Sequence, residues 1–272
     1  MKKIKNTLSK VPETMLITLW AKATETKRPN ALLHDKKAVE IMEQIEYDFT
    51  KFQKAKLSQV GCCIRAKLID HETRLFLNEH PEAVVIQLGA GLDARYERLG
   101  QPKVCHWFDL DLAEATTLRL QFLKESERNT FLAESMFDEE WIDRVNSYGR
   151  PILIIVEGVF MYFSSEEVQG VFQKICAKLP AATILFDMLA FAAVGRAKQH
   201  DTLRKMGEET EFKWSLLNTK EMEKWNNRLH VRKEYYMSDY DEGRFPFIFR
   251  LLYKIPYFWN RFNQRIVKIE IE

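Results

Sequence analysis

Two glycines and a small set of carboxylates bound the chemistry open to this chain. The apolar run Val84-Val85-Ile86-Gln87-Leu88 ends in Gly89-Ala90-Gly91, and a second run through Trp107-Phe108 ends in Asp109-Leu110-Asp111. Glycines in that place allow a tight turn and let a ligand lie against the backbone. Asp109 or Asp111, at the end of the next strand, can accept hydrogen bonds from both hydroxyls of a ribose. Gly89-x-Gly91-x-x-Ala94 also satisfies the loose dinucleotide fingerprint. A nicotinamide-dependent oxidoreductase is therefore one reading, and an ordinary strand-to-helix turn is another. Later apolar runs end in Ser135-Met136, Glu157-Gly158 and Asp187. In open α/β sheets ligands bind outside the carboxyl ends of the strands, which is where these polar groups fall. Arg65 follows an apolar stretch, Gly61-Cys62-Cys63-Ile64. It can hold a ligand carboxylate through a bidentate pair or sit in a surface salt bridge.

Such groups need a parallel sheet to bring them together, and the apolar pattern supplies one. Residues 84–88, 104–108, 130–133, 152–157 and 182–186 read as five strands. Helices are expected from near Asp93, over 112–127, and from Ser164 through Lys178, where Ser164 and Glu167 have capping-box spacing. This alternation predicts an α/β fold, a mostly parallel sheet wrapped by helices on both faces. Residues 12–80 read as helical, with apolar positions 60, 64, 68, 69, 75 and 77 at helical spacing. A dehydrogenase tends to begin with its glycine strand, so this segment instead predicts a cap over the mouth of the sheet. Residues 190–227 read as polar and helical, a second contribution to a lid, and 231–236 and 266–271 as β-like. Between Glu242 and Glu270 lie Arg244, Arg250, Lys254, Arg261, Arg265 and Lys268, interleaved with aromatic residues and free of acids. The expectation is an aromatic helical connection packed on the sheet with arginines outward, in preference to a nucleic-acid or membrane surface.

With 272 residues, 46% hydrophobic and 29% charged, the chain suits one large domain with an appendage. A net charge of +2 is too small to argue for a nucleic-acid partner. No apolar h-region follows Met1-Lys2-Lys3-Ile4-Lys5, and no apolar run is long enough to span a bilayer, so neither a signal peptide nor a membrane span is expected. Cys62, Cys63, Cys105 and Cys176 show no metal-binding spacing and read as thiols of a reducing, cytoplasmic compartment.

Taken together, these segments resemble the leucine carboxyl methyltransferase superfamily, in particular its tetracenomycin-type bacterial O-methyltransferases. The resemblance covers nearly the whole chain. It includes Thr18-Leu19-Trp20-Ala21, Arg28-Pro29-Asn30-Ala31-Leu32-Leu33-His34-Asp35, Ile64-Arg65-Ala66-Lys67-Leu68-Ile69-Asp70 and Gln87-Leu88-Gly89-Ala90-Gly91-Leu92-Asp93-Ala94-Arg95. It continues through Phe108-Asp109-Leu110-Asp111, Ser135-Met136-Phe137-Asp138, Glu157-Gly158-Val159-Phe160-Met161-Tyr162-Phe163 and Phe212-Lys213-Trp214-Ser215. Departures from the family pattern fall at Lys36, Ala66, Lys67, Ala113 and Ser215.

The resemblance implies a Rossmann-like class I methyltransferase sheet with a C-terminal antiparallel strand. A helical lid over residues 1–80 would precede a catalytic domain over 81–272, with a helical insertion at about 190–227. It implies S-adenosylmethionine as cofactor, with S-adenosylhomocysteine as product. Arg65 would pair with the cofactor carboxylate, and Gly89, Ala90 and Gly91 would lie against its methionine moiety. Asp111 would hold the ribose hydroxyls with Asp109 close by, Ser135 and Met136 would flank the adenine, and Glu157 would face the amino group. The expected reaction is methyl transfer to a carboxylate or hydroxyl of a small molecule. The alternatives are a C-terminal leucine carboxylate of a protein phosphatase, the nicotinamide-dependent oxidoreductase, and a cofactor-binding protein without turnover. No metal is expected, because the acids come from separate strands. None of the six histidines is singled out as a base, and no catalytic residue or oligomeric state is assigned.

Overall fold

The computed structural model describes residues 4–5, 14–196 and 211–272. The lysine-rich start and the stretch 197–210, with His200, lie outside the described residues. Five strands alternate with helices: β1 (Val84–Leu88), β2 (His106–Asp111), β3 (Asn129–Ala133), β4 (Ile152–Val156) and β5 (Ala182–Met188). Two more, β6 (Leu229–Tyr236) and β7 (Arg265–Ile271), complete a seven-stranded sheet of order β3-β2-β1-β4-β5-β7-β6. β1 to β5 are parallel, whereas β7 runs antiparallel between β5 and β6. The order reverses between β1, which is flanked by β2, and β4, and a crevice opens there at the carboxyl ends.

The strands read as unbroken apolar runs because both faces are covered. On one face Val84, Ile86, Ile154 and Val156 pack with Trp141 of α6 (Glu140–Asn146) and Phe172 of α7 (Ser165–Lys178). On the other, Val85, Leu153, Ile155 and Leu185 pack with Ile64, Leu68 and Phe76 of α3 (Lys56–Glu79). The helix α1 (Met15–Thr26) packs on α3 and on α2 (Lys36–Gln44). One face of α3, with Val60, Ile64, Leu68 and Phe76, packs on the sheet, while Cys63 and Ala66 on another face pack with Ile17, Trp20 and Ala21 of α1, so one rigid helix fixes the cap above the strand ends. α7 begins with the capping box of Ser164 and Glu167.

Several elements differ from the pattern-based expectation. β2 starts at His106 and reaches Asp111, so Asp109 lies inside the strand and not at its end. The helix after the glycine turn is a single turn, α4 (Arg95–Arg98). The helix foreseen over 112–127 is α5 (Ala113–Arg119) alone. The next residues reverse the chain into β3, with Ser126 bridging Asn129 and the Glu125 carboxylate accepting the Phe131 amide at 2.8 Å. The described parts of 190–227 hold only short 3-10 turns, at Phe191–Ala193 and Thr219–Lys224. The aromatic stretch before β7 forms two helices, α8 (Phe247–Leu252) and α9 (Pro256–Phe262), neither with a buried residue. Phe249 of α8 and the adjoining Tyr253 pack against the sheet-side cluster that also holds Tyr235, Met237 and Phe245, whereas the outer sides of both helices stay exposed.

Candidate active site

The glycine turn places backbone, not side chain, at the crevice. Gly89 has φ +68°, and a methyl group there would lie 2.3 Å from Val159 Cγ2, so both the turn and the close packing require glycine. The Gly91 amide donates to Asp111 Oδ2 at 2.7 Å, and the Leu112 amide to Asp111 Oδ1 at 2.8 Å. Burial raises the Asp111 pKa, and these two amide bonds oppose the shift. With one lone pair of each oxygen used, the carboxylate keeps acceptor capacity toward the cavity.

Asp109, expected beside the ribose, is placed differently. It does not line the cavity, and its carboxylate takes three donors inside the protein: Trp107 Nε1 at 3.0 Å, Arg119 at 2.7 Å and Asn129 Nδ2 at 3.0 Å. Arg119 also donates to the carbonyls of Gly91 and Asp93, at 2.9 and 2.8 Å. Side chains alternate along a strand, so two residues before the strand end points to the same face as Asp111 but one pleat deeper. Asp109 braces the glycine loop from below.

At the ends of β1, β4 and β5 a buried ion lattice fills the space between sheet and cap. Arg65 from α3 donates Nε to Glu157 at 3.2 Å and a terminal nitrogen to Asp187 at 3.0 Å. Gly158, with φ +75°, leaves room for that guanidinium, since a methyl group there would lie 2.9 Å from it. The Gly158 amide donates to the other Asp187 oxygen. Arg95 joins Glu157 to Asp70, and Arg98 joins Asp70, Asp93 and Asp35. Lys22 from α1 closes the lattice on Asp93 at 2.7 Å and Glu157 at 3.7 Å. Four cations (Lys22, Arg65, Arg95, Arg98) meet five carboxylates (Asp35, Asp70, Asp93, Glu157, Asp187). The excess charge is negative. Burial disfavours the Glu157 carboxylate, but Lys22, Arg95 and Arg65 outweigh it and hold the pKa at about 2. Burial likewise opposes ionisation of Asp93, and Arg98, Lys22 and Arg95 hold it well below the usual carboxylate range. Asp187 is raised, because its burial outweighs Arg65 and the Gly158 amide.

These elements enclose a cavity of about 710 Å³. Of the residues expected to touch the cofactor, Arg65, Gly89, Ala90, Gly91, Asp111, Ser135, Met136 and Glu157 line it. Two buried polar atoms on its wall lack a partner among the described residues, Gln87 Oε1 and Glu134 Oε2. Gln87 spends its amide nitrogen on Asp93 at 3.0 Å, which leaves the oxygen as an acceptor. The Ser135 hydroxyl accepts from the Phe137 amide at 3.2 Å and keeps its proton to donate. Away from the sheet the wall turns apolar, with Ile17, Leu189, Phe212, Met237, Phe249 and Phe262. Among the described residues no histidine lines the cavity, and no cluster of His, Cys, Asp or Glu could hold a metal.

Sequence reasoning missed Lys22, Gln87, Asp93 and Arg95 as members of this site. Asp93 and Arg95 stand in the glycine motif itself, and Gln87 is the polar position in an apolar strand. Lys22, 2% exposed on a helix facing the core, gave only one signal, a cation directly after the apolar Leu19-Trp20-Ala21.

The sheet order, its antiparallel β7 and a cavity over the β1/β4 switch point define a Rossmann-like fold with a ligand site, and the comparisons that follow make it that of an S-adenosylmethionine-dependent methyltransferase. The leucine carboxyl methyltransferase family model matches residues 15–176, and the chain belongs to that family. It is 30% identical to the tetracenomycin polyketide synthesis O-methyltransferase TcmP of Streptomyces glaucescens, over 85% of each chain. It is 27% identical to the S-adenosyl-L-methionine-dependent methyltransferase dpfgK of Gibberella zeae, over 85% of this chain and 86% of that one. Among solved structures, a duf574 family protein from Streptomyces avermitilis superposes with a TM-score of 0.59 at 10% identity, over 94% of this chain and 97% of that one. Magnesium protoporphyrin IX methyltransferase (ChlM) from Synechocystis, with bound SAH, gives 0.50 at 10% identity, over 96% and 100%.

The two aspartates of β2 should separate by experiment. Asp111→Ala is expected to weaken S-adenosylhomocysteine binding by about 1–3 kcal/mol, measured by calorimetry, with stability nearly unchanged. Asp109→Ala leaves Arg119 buried without its counter-ion and should lower unfolding free energy by about 3–5 kcal/mol in urea. The opposite pattern would return Asp109 to the ligand. Acid stability gives a further check. Glu157, held at about 2 when folded, stabilises the protein fully above the ordinary carboxylate range, and that contribution is lost as pH falls toward 2. Glu157→Gln should therefore flatten the loss of stability between about pH 4.5 and 2, and an unchanged slope would contradict the assignment.

Proposed function

We propose that this methyltransferase holds S-adenosylmethionine across the strand ends and methylates an oxygen of a small, largely apolar molecule. The observation that carries the reading is the division of the cavity into a charged pole with unpaired acceptors and an apolar, aromatic-walled remainder. When bound, the cofactor supplies a methyl group on a cationic sulfonium. Arg65 and Lys22 offer positive charge to its carboxylate. Glu157 and Gln87 Oε1 offer acceptors to its ammonium, and the net negative lattice favours a ligand of positive charge. Asp111 would take the ribose hydroxyls, and the Gly89–Gly91 backbone would bear on the methionine chain. Glu134 Oε2, Ser135 and Met136 would receive the adenine.

On the acceptor side the reading is supported by two acidic groups among the described residues of the wall, neither of which serves as a base. Burial pushes the Tyr162 phenol up to about 12 and raises the Cys62 thiol, so neither ionises near neutrality. The chain's part is then to orient an acceptor that ionises by itself, and to exclude water from it. A carboxylate or an acidic hydroxyl on an apolar, ring-bearing body fits. The cavity volume lies within the range of pockets for cofactor-sized and drug-sized ligands, which favours a small molecule over a protein C-terminus. TcmP and dpfgK, by their names, act in polyketide synthesis and with S-adenosylmethionine respectively, which agrees. Among the described residues no helix is long and apolar enough to cross a membrane, and all four cysteines are free thiols, which supports a reducing, cytoplasmic location.

A panel of aromatic acids and phenols, incubated with radiolabelled cofactor, tests this. Transfer should occur to an oxygen, and kcat/KM should follow the ionisation of the acceptor alone, level from about pH 6 to 9 for a carboxylic acid. A bell-shaped profile independent of the acceptor would mean that a protein base takes part.

A further inference from the structure

α8 and α9 present an apolar surface that the described residues leave uncovered. Phe247, Ile248 and Tyr257 are 68%, 58% and 61% exposed, and Leu251, Ile255 and Phe262 are exposed beside them. Phe191 extends the patch, with the Arg261 guanidinium over its ring. Single exposed apolar residues are ordinary, but a contiguous group of this size marks an interaction surface. Its own segment carries cations and no acid, with Asp239, which accepts the Trp259 Nε1 hydrogen at 3.0 Å, and Glu242 at its margin. No acid occurs between Glu242 and Glu270. Arg244 is engaged by Glu25, Arg250 by Glu242, and Arg265 is buried on Glu234. Among the described residues Lys254 is exposed without a carboxylate partner, and Arg261 lies over the Tyr257 ring with none.

We propose that the α8–α9 face seats on an anionic lipid surface. Short helices that expose Phe, Ile, Leu and Tyr with flanking cations match the boundary between acyl chains and phosphate headgroups. Charge complementarity selects this occupant. Face-to-face pairing of two copies would bring Lys254 and Arg261 against their own counterparts. Two available cations are also too few to neutralise the phosphates a nucleic acid presents. The inner side of the same helices gives the surface a use: Phe249, Tyr253 and Phe262 line the cavity. If the acceptor is apolar, as proposed above, it reaches the cavity from the bilayer without crossing water. The docking itself does not depend on that acceptor.

Co-sedimentation of the full-length protein with phosphatidylcholine vesicles, with and without phosphatidylglycerol, tests the proposal. The wild type should pellet with the anionic vesicles and be released by high salt. The pair Phe247→Ser and Tyr257→Ser, neither of which lines the cavity, should lower the partition coefficient about tenfold or more. Lys254→Gln and Arg261→Gln should each lower it about fivefold. Binding of S-adenosylhomocysteine should be retained in all of them, which shows that the variants are folded and separates this test from that of the cavity. Failure of the wild type to pellet would overturn the proposal. So would variants that pellet as the wild type does, or a wild-type dimer that the same variants dissociate.

Discussion

The lattice around Glu157 is the constraint on which the rest depends. Five carboxylates and four cations from α1, α2, α3, α4, the glycine loop and two strand ends are buried together. Removing one partner from such a group leaves an uncompensated buried charge, which is far more costly than the net worth of the pair. The cap therefore cannot drift relative to the sheet without exposing or stranding a charge. This explains why the helices that precede the first strand are integral to the site. It also explains why small backbone features matter: Gly158 has no side chain so that Arg65 can reach Glu157 and Asp187 together.

On the reading proposed above, the lattice is also a recognition device. Its cations and anions pair with one another, although Arg95 Nη1 makes only a 3.5 Å ion pair with Asp93, and among the described residues Gln87 Oε1 and Glu134 Oε2 on the cavity wall have no hydrogen-bond partner. A buried acceptor left unpaired costs free energy that a ligand donor can recover. A zwitterion with an additional positive charge complements both features. Around it, hydrophobic packing on the two faces of the sheet keeps the strand ends in register, and Asp109 with Arg119 fixes the loop beneath the ligand.

Much of this was legible in the sequence. The glycine turn, the five parallel strands, the capping box of α7 and the gathering of Asp111, Ser135, Met136 and Glu157 at one place follow from local patterns and from topology, whereas Arg65 was placed there by the family resemblance alone. What local pattern could not show were relations between distant segments. Lys22 and Asp93 are 71 residues apart in sequence, and nothing in either neighbourhood announces a contact. Asp109 and Asp111 look alike as residues, and only the strand's end point, three residues later than the apolar run suggests, tells the buried brace from the carboxylate that lines the cavity. Helix lengths after β2 were overestimated because amphipathic spacing continues past Arg119 while the chain must turn back toward β3. The aromatic stretch before β7 meets the expectation in part, since Phe249 and Tyr253 pack against the sheet-side cluster while Phe247, Ile248 and Tyr257 stay exposed.

The central claim is that a charge-paired pole, not only a nucleoside pocket, selects the ligand. It is tested most directly by titrating the wild type and Arg65→Ala with S-adenosylhomocysteine and with adenosine in the calorimeter. If Arg65 serves the amino-acid end, the variant should lose affinity for S-adenosylhomocysteine by tenfold or more, the scale of one charged hydrogen bond, while its affinity for adenosine stays near that of the wild type. Equal losses for both ligands would mean that Arg65 only maintains the fold, and the assignment of the charged pole would be wrong.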